Sequence, residues 1–258
     1  MTVSQLFLDR PASPAPVWAR VATWALLGIV FSMLCWLVLS TAANWGVVWR
    51  YRVTFWNGWL MTLGLSAMAL VLSTVVGVVA ALARRSSVMV LRYTASLYIE
   101  LVRGMPLLVL LLVAFYVVAA AIQVDDRVFV GVVALSLFSG AYIAEMVRAG
   151  IESVGRSQLE SARAIGLTTA QTYAYVIFPQ AFRQTLPPLA GQFASLIKDS
   201  SLLMILGISE FTFSAQQAAS ATFSNLECYL PLAAGYLILT VPISLLSRAL
   251  EKRFRYET

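Results

Sequence analysis

The chain has 258 residues, of which 60% are hydrophobic and only 12% are charged. A soluble domain usually has about 45–50% apolar and about 25% charged residues, so this composition indicates a membrane protein. The net charge is +6, but the basic residues lie in the short connections between apolar segments, which argues against a nucleic-acid-binding patch.

Residue types that usually carry catalysis or bind metals are few. Histidine is absent from the sequence, which excludes Ser-His-Asp catalysis, Cys-His catalysis and histidine metal sites. Cys35 and Cys228 belong to no C-x-x-C set, and we interpret both as packing residues. The sequence also has no G-x-x-x-x-G-K-[ST] loop, so we expect no cofactor or metal and no ATP bound by this chain itself.

Six apolar segments are each long enough, at about 20 residues, to cross a membrane as a helix. They lie at residues 21–39, 59–83, 105–122, 128–147, 189–208 and 230–250. The apolar core of the first exceeds the usual 7–15 residues of a signal peptide, so we interpret it as an uncleaved span. Gly104 and Pro106 predict a kink or break where the third segment begins.

Small residues in the second and fourth segments favour close helix packing. They are Gly64, Ser66, Ser73 and Gly77 in one, and Gly131, Ser136, Ser139 and Gly140 in the other.

The distribution of basic residues predicts the orientation in the membrane. With the amino terminus inside, fourteen arginines and lysines fall on the cytoplasmic side and only Arg50, Arg52 and Arg127 fall outside. The positive-inside rule therefore places both termini in the cytoplasm.

The long connection between the fourth and fifth segments has the pattern of two short helices. Ser157 followed three residues later by Glu160 fits a capping box, and Gly166 suits the left-handed position after a helix end. Thr168 and Gln171 repeat the capping pattern.

We expect the second helix to end at Pro179. This helix–glycine–helix elbow is either a hairpin that packs against its own spans or an element that docks into a groove of a partner protein.

The elbow resembles the EAA motif of ABC importer permeases, whose pattern is E-A-A, three residues, G, nine residues and I-x-L-P. The corresponding residues are Glu160, Ser161, Ala162, Gly166 and then Val176, Ile177, Phe178 and Pro179, with conservative departures at Ser161, Val176 and Phe178. Residues 98–116, 140–154 and 195–212 are similar to the polar amino-acid branch, the permeases for histidine, glutamine and arginine. That branch usually has R-G-T-P where this chain has Met105 as the third residue.

The resemblance covers about residues 56–255 and implies an all-α polytopic membrane protein with about six transmembrane helices. Five of them would form a type I ABC importer permease core, with a cytoplasmic helix–Gly–helix coupling loop at about residues 149–185. Residues 1–55 would form a cytoplasmic tail, an additional transmembrane helix and an outer loop. The implied location is the bacterial inner membrane, crossed several times.

The resemblance also implies the function and the partners. The chain would be the membrane-spanning subunit of an importer that translocates a polar or charged amino acid delivered by a periplasmic binding protein. Its other partners would be membrane lipid, two ABC ATPase subunits that bind the ATP, and a second permease subunit, identical or different. The residues expected to couple to the ATPase are Glu160, Ser161, Ala162, Gly166 and Pro179.

Two groups of charges lie within or close to the predicted spans. Lys198 and Asp199 fall inside the fifth segment, where each costs about 2.5–3.5 kcal/mol on insertion scales, so neighbouring helices must support them. They either line the path of a zwitterionic amino acid or form an ion pair that only fixes packing.

Glu100 with Arg103, and Glu145 with Arg148, have the i, i+3 spacing of ion pairs. These are either solvated stabilising pairs or, through Arg103 and Glu145, part of an inner gate.

Two other functional classes fit the sequence less well. A secondary transporter driven by an ion gradient would favour internal inverted repeats, and none is visible. An intramembrane enzyme would need a catalytic constellation, whereas the paired carboxylates Asp125 and Asp126 lie in a short polar turn. The identity of the solute is left open.

Overall fold

The computed structural model describes residues 17–40 and 45–254, in which no β-strand occurs. The chain divides into two units, one ending at Trp45 and one beginning at Gly46, and each is described by itself. In the first unit helix α1 (Val17–Ser40) contains the first predicted apolar segment. A membrane crossing by α1 stays a prediction.

The second unit is built from helices of very different lengths. In chain order they are α2 (Gly46–Arg50), α3 (Arg52–Arg84), α4 (Met89–Gly104), α5 (Leu107–Ala119), α6 (Arg127–Glu152), α7 (Arg156–Ala164), α8 (Thr169–Leu206), α9 (Phe211–Thr222) and α10 (Asn225–Phe254).

Four helices of the described residues are long and apolar enough to cross a membrane, namely α3, α6, α8 and α10. They contain the second, fourth and sixth predicted segments and most of the fifth. The predicted all-α membrane fold is thus confirmed, and a five-span core results if α4 and α5 are counted as one bent span.

The third predicted span corresponds to part of a bent pair of helices. Helix α5 is about 20 Å long at about 1.5 Å per residue, too short for a hydrocarbon core of about 30 Å. Helices α4 and α5 are bent by 113° relative to each other. The break falls between Gly104 and Leu107, because Pro106 adopts an extended conformation and cannot donate a helical N–H. The kink predicted at Gly104 and Pro106 is confirmed.

Helix α8 corrects the prediction that Pro179 ends the second arm of the elbow. The helix passes through Pro179 without a break, and its Tyr173–Ile177 segment is π-helical. A π-helical turn is wider than an α-helical one and makes room where a proline ring would otherwise clash with the preceding turn. Pro179 then lies in the first turn of the α-helical segment Phe178–Asp199, where the missing N–H costs little.

Helices α3 and α6 form the centre of the second unit, and α8 packs against α6 and α10. A Cβ atom at Gly77 would lie 2.6 Å from Ile143 Cγ2, and one at Gly140 would lie 2.9 Å from Val76 Cγ1. The small residues therefore allow a close approach of α3 and α6, in line with the close helix packing that the sequence predicts for both segments. This contact fixes α6, which carries the charged residues described below.

Candidate functional site

The first arm of the elbow is α7, and it begins two residues earlier than the capping box predicts. Gly155, not Ser157, is the N-cap, and no side chain caps this end. Ser157 therefore lies inside the first turn, where its hydroxyl is not placed to cap the helix. The predicted capping role of Glu160 is wrong, and this side chain is exposed and free of that role.

The turn between the arms matches the prediction. Gly166 has φ +79°, a left-handed conformation that glycine adopts most readily. The N–H of Leu167 donates to the carbonyl of Ala162 (3.0 Å), and the N–H of Gly166 donates to that of Arg163 (3.0 Å). These two bonds form a Schellman motif.

The capping box at the start of α8 is also confirmed. The backbone N–H of Thr168 donates to Gln171 Oε1 (2.9 Å), and the N–H of Gln171 donates to Thr168 Oγ1 (3.3 Å).

The elbow has a buried face and an exposed face. Ala162 is buried, so it packs within the elbow instead of lying on its surface. Ile151 in the last turn of α6 and Val154 just after that helix pack with Ile177 and Ala181 of α8, which joins the elbow to α6. On the outside Ser161 is exposed beside Glu160, and the apolar side chain of Ile165 is 76% exposed at the turn.

Glu145 on α6 is the centre of a cluster of charges. Its side chain is 17% exposed and accepts hydrogen bonds from Arg84 at the end of α3 and from Arg148 (Nη2 to Oε2, 2.8 Å). Arg103 at the end of α4 lies 3.6 Å from the same carboxylate. The predicted pair of Glu145 and Arg148 is confirmed, and the fold brings Arg103 to Glu145 from a different helix.

The predicted pair of Glu100 with Arg103 does not form. Glu100 lies 3.8 Å from Arg84, and the guanidinium of Arg103 lies 5.5 Å from the ring centroid of Tyr142. The attraction to Glu145 and to this ring, both on α6, turns Arg103 away from its own helix face.

Lys198 and Asp199 lie where the α-helical part of α8 gives way to the 3₁₀-helical segment Ser200–Leu206. Lys198 is exposed and Asp199 is half-buried. Within the part of the chain that the structure describes, neither forms an ion pair within 4.0 Å, and neither belongs to the Glu145 cluster. Nearer the start of α8, the Nε2 group of the buried Gln192 donates a hydrogen bond to Ser139 Oγ of α6 (3.0 Å).

Glu210 is a fully buried acid that the sequence reading missed. Its carboxylate caps α9 by accepting from the N–H groups of Thr212 and Phe213, both at 2.8 Å. The hydroxyl groups of Tyr236 (3.1 Å) and Thr62 (3.4 Å) also donate to it. Burial raises the pKa of the Glu210 carboxyl above its usual value, and these hydrogen bonds oppose the rise. The sequence does contain a signal for this helix cap: Glu210 is a polar residue that follows Gly207 and directly precedes the helical segment that begins at Phe211.

Comparison with known proteins identifies the family. Residues 73–256 match the family described as binding-protein-dependent transport system inner membrane component. The probable glutamine ABC transporter permease protein GlnM of Bacillus subtilis (strain 168) is 36% identical over 199 residues, 77% of this chain and 92% of the relative. The L-cystine transport system permease protein TcyB of the same organism is 36% identical over 222 residues, 84% of this chain and 94% of the relative.

A solved structure agrees with these relatives. The crystal structure of an amino acid ABC transporter with histidines superposes with a TM-score of 0.77 and 34% sequence identity. The match covers 83% of this chain and 100% of the solved one. The chain therefore belongs to the family of binding-protein-dependent transport system inner membrane components.

Proposed function

We propose that this chain is the permease subunit of an ABC importer that carries a polar or charged amino acid inward. Relatives at 36% identity are named as glutamine and L-cystine permeases, which supports an amino-acid solute without selecting one. The observation that carries the coupling role is the elbow, whose exposed face presents Glu160, Ser161 and Ile165 around a Schellman turn.

The elbow is the proposed docking site for an ATPase subunit. A short helix with a tight turn and a protruding apolar side chain fits a groove on a partner. The buried Ala162, together with Gly166 and Pro179, maintains the shape of the elbow, whereas Glu160 and Ser161 contact the partner. With one such elbow per chain, two permease chains would engage two ATPases, which bind and hydrolyse the ATP. A periplasmic binding protein would deliver the solute.

The orientation follows from the positive charges. The elbow, the Glu145 cluster and both termini would face the cytoplasm, and the connection between α5 and α6 would face outward.

Lys198 and Asp199 are the proposed contacts for the solute. A zwitterionic amino acid carries both charges, and these adjacent side chains offer one of each sign without an ion pair of their own. An Asp199→Ala variant should lose uptake while it still captures an ATPase. Unchanged uptake would remove Asp199 from the path.

The docking role is tested by co-purification with nucleotide-binding subunits. The wild-type chain should retain an ATPase, and both Gly166→Pro and Glu160→Lys should lose it. Asp125→Lys is the matched control, because it reverses an exposed acidic charge on the side proposed to face outward. Capture by all variants would contradict the docking site. If uptake continues without any ATPase and stops when an ion gradient is abolished, a secondary transporter would be supported instead.

A further inference from the structure

A continuous series of polar contacts joins the bend between α4 and α5 to the elbow. It begins at Arg103, in the last turn of α4, directly before the 113° bend. Arg103 contacts Glu145 Oε2 at 3.6 Å and lies over the ring of Tyr142, and both of these residues belong to α6. The position of the bend is therefore tied to α6 and not to α4 alone.

The series continues along α6 and crosses to the elbow. Arg148 binds Glu145 at 2.8 Å and also binds Glu152, one turn further along the helix. Glu152 Oε1 lies 3.9 Å from Arg85 Nη1 at the end of α3. Arg85 Nη2 in turn donates to Tyr173 Oη at 3.3 Å, and Tyr173 lies on the second arm of the elbow.

Glu145 is the member whose removal would release the bend. Three guanidinium groups share this carboxylate, but Arg84 also lies near Glu100, and Arg148 also binds Glu152. Within the described residues Arg103 contacts no other carboxylate. The carboxylate is only 17% exposed, so solvent and salt screen its attraction to Arg103 less than at an open surface.

We infer that Glu145 is a positioning residue that transmits movement of the elbow to the bend between α4 and α5. The inference rests on the proposed function, in which an ATPase moves the elbow. The cluster of Ile151, Val154, Ile177 and Ala181 makes α6 follow the elbow. Glu145 lies six residues before Ile151, about 9 Å along a rigid helix, and carries the motion to Arg103.

The test uses the complete complex in proteoliposomes with a radiolabelled mixture of the standard amino acids and L-cystine. Three quantities are measured, namely ATPase capture, ATP hydrolysis, and uptake per ATP hydrolysed. Glu145→Gln should keep capture and hydrolysis, whereas uptake per ATP should fall by roughly 2- to 30-fold, the range expected for residues that couple distant sites. Glu145→Asp keeps the charge and should retain an intermediate value.

Two further variants separate this role from general stability. Glu100→Gln makes the same chemical change at a 74% exposed carboxylate near Arg84 and should keep the wild-type ratio of uptake to ATP. Arg103→Gln should match Glu145→Gln, and the double variant should be no worse than either, because both changes break the contact between Arg103 and Glu145.

The outcomes are distinct. A wild-type ratio in folded Glu145→Gln would overturn the inference, as would loss of ATPase capture, which would place Glu145 in the docking surface. If Glu145→Gln fails to fold, a wild-type ratio in Arg103→Gln would overturn the inference in the same way. Failure of the wild-type chain to capture any ATPase would instead contradict the proposed function.

Discussion

Glu210 shows how a single side chain can hold three parts of this chain together. It lies at the start of α9, and its carboxylate also accepts hydrogen bonds from Thr62 of α3 and Tyr236 of α10. The side chain is fully buried, and several hydrogen-bond donors converge on its carboxyl oxygens to offset the cost of that burial. This residue therefore anchors α9 between two long helices.

Replacing Glu210 by alanine should destabilise the protein by about 2 kcal/mol, because the partly buried N–H groups of Thr212 and Phe213 lose their acceptor. Tyr236 keeps one partner, since its hydroxyl also lies 2.8 Å from Thr212 Oγ1. Glu210→Gln retains one acceptor oxygen and should cost less. Thermal unfolding of both purified variants checks the order. Equal stability of Glu210→Ala and wild type would contradict the anchoring role.

At the scale of the elements, the contact between α3 and α6 depends on glycines that leave no room for a side chain. A Cβ at Gly77 would lie 2.6 Å from Ile143 Cγ2 and 2.8 Å from the backbone oxygen of Gly140. The backbone oxygen cannot rotate away as a flexible side chain can. The helices would have to separate, and α6 carries Glu145.

Gly77→Ala should therefore destabilise the protein by about 1–3 kcal/mol, the usual cost of overpacking. Gly64→Ala is the matched control on the same helix, because a Cβ there meets no atom within 4 Å. The control should be neutral, or more stable by up to about 1 kcal/mol from helix propensity. Both values come from unfolding of purified protein in detergent. A Gly77→Ala protein as stable as the Gly64→Ala protein would show that the helix pair can adjust.

Sequence patterns correctly predicted the features of the fold that depend only on neighbouring residues. The long apolar helices, the left-handed turn at Gly166, the cap at Thr168 and the break at Gly104 and Pro106 all depend on a few adjacent residues. The course of α8 through Pro179 could not be read this way, because a π-helical turn before the proline makes room for its ring. Likewise, Ser157 and Glu160 match the capping-box pattern in sequence but do not form one, because α7 already begins at Arg156.

The candidate site was only partly predictable for the same reason. The pair of Glu145 and Arg148 lies on one helix, so its spacing predicted the contact. The partner of Arg103 could not be predicted from spacing, because Glu145 approaches it only when α4 folds against α6. Glu210 was missed because its partners come from Thr62 and Tyr236, far away in the sequence.

At the scale of the whole molecule, basic residues are segregated along the chain. Among the arginines and lysines in the connections between spans, only Arg50, Arg52 and Arg127 fall on the side proposed to face outward. The Glu145 cluster and the elbow fall on the arginine-rich side. By the positive-inside rule, this segregation would place the elbow and the Glu145 cluster together on the cytoplasmic face.

This topology predicts opposite labelling of two engineered cysteines, each in a background with Cys35 and Cys228 replaced by alanine. Ile165→Cys, at the 76% exposed tip of the elbow, should react with a membrane-impermeant thiol reagent only after the cells are permeabilised. Asp125→Cys, in the exposed connection between α5 and α6, should react in spheroplasts with an intact inner membrane. Since both positions are open to solvent, a difference in labelling reports the side of the membrane and not burial. The reverse pattern would place the elbow outside, where no ATPase could reach it.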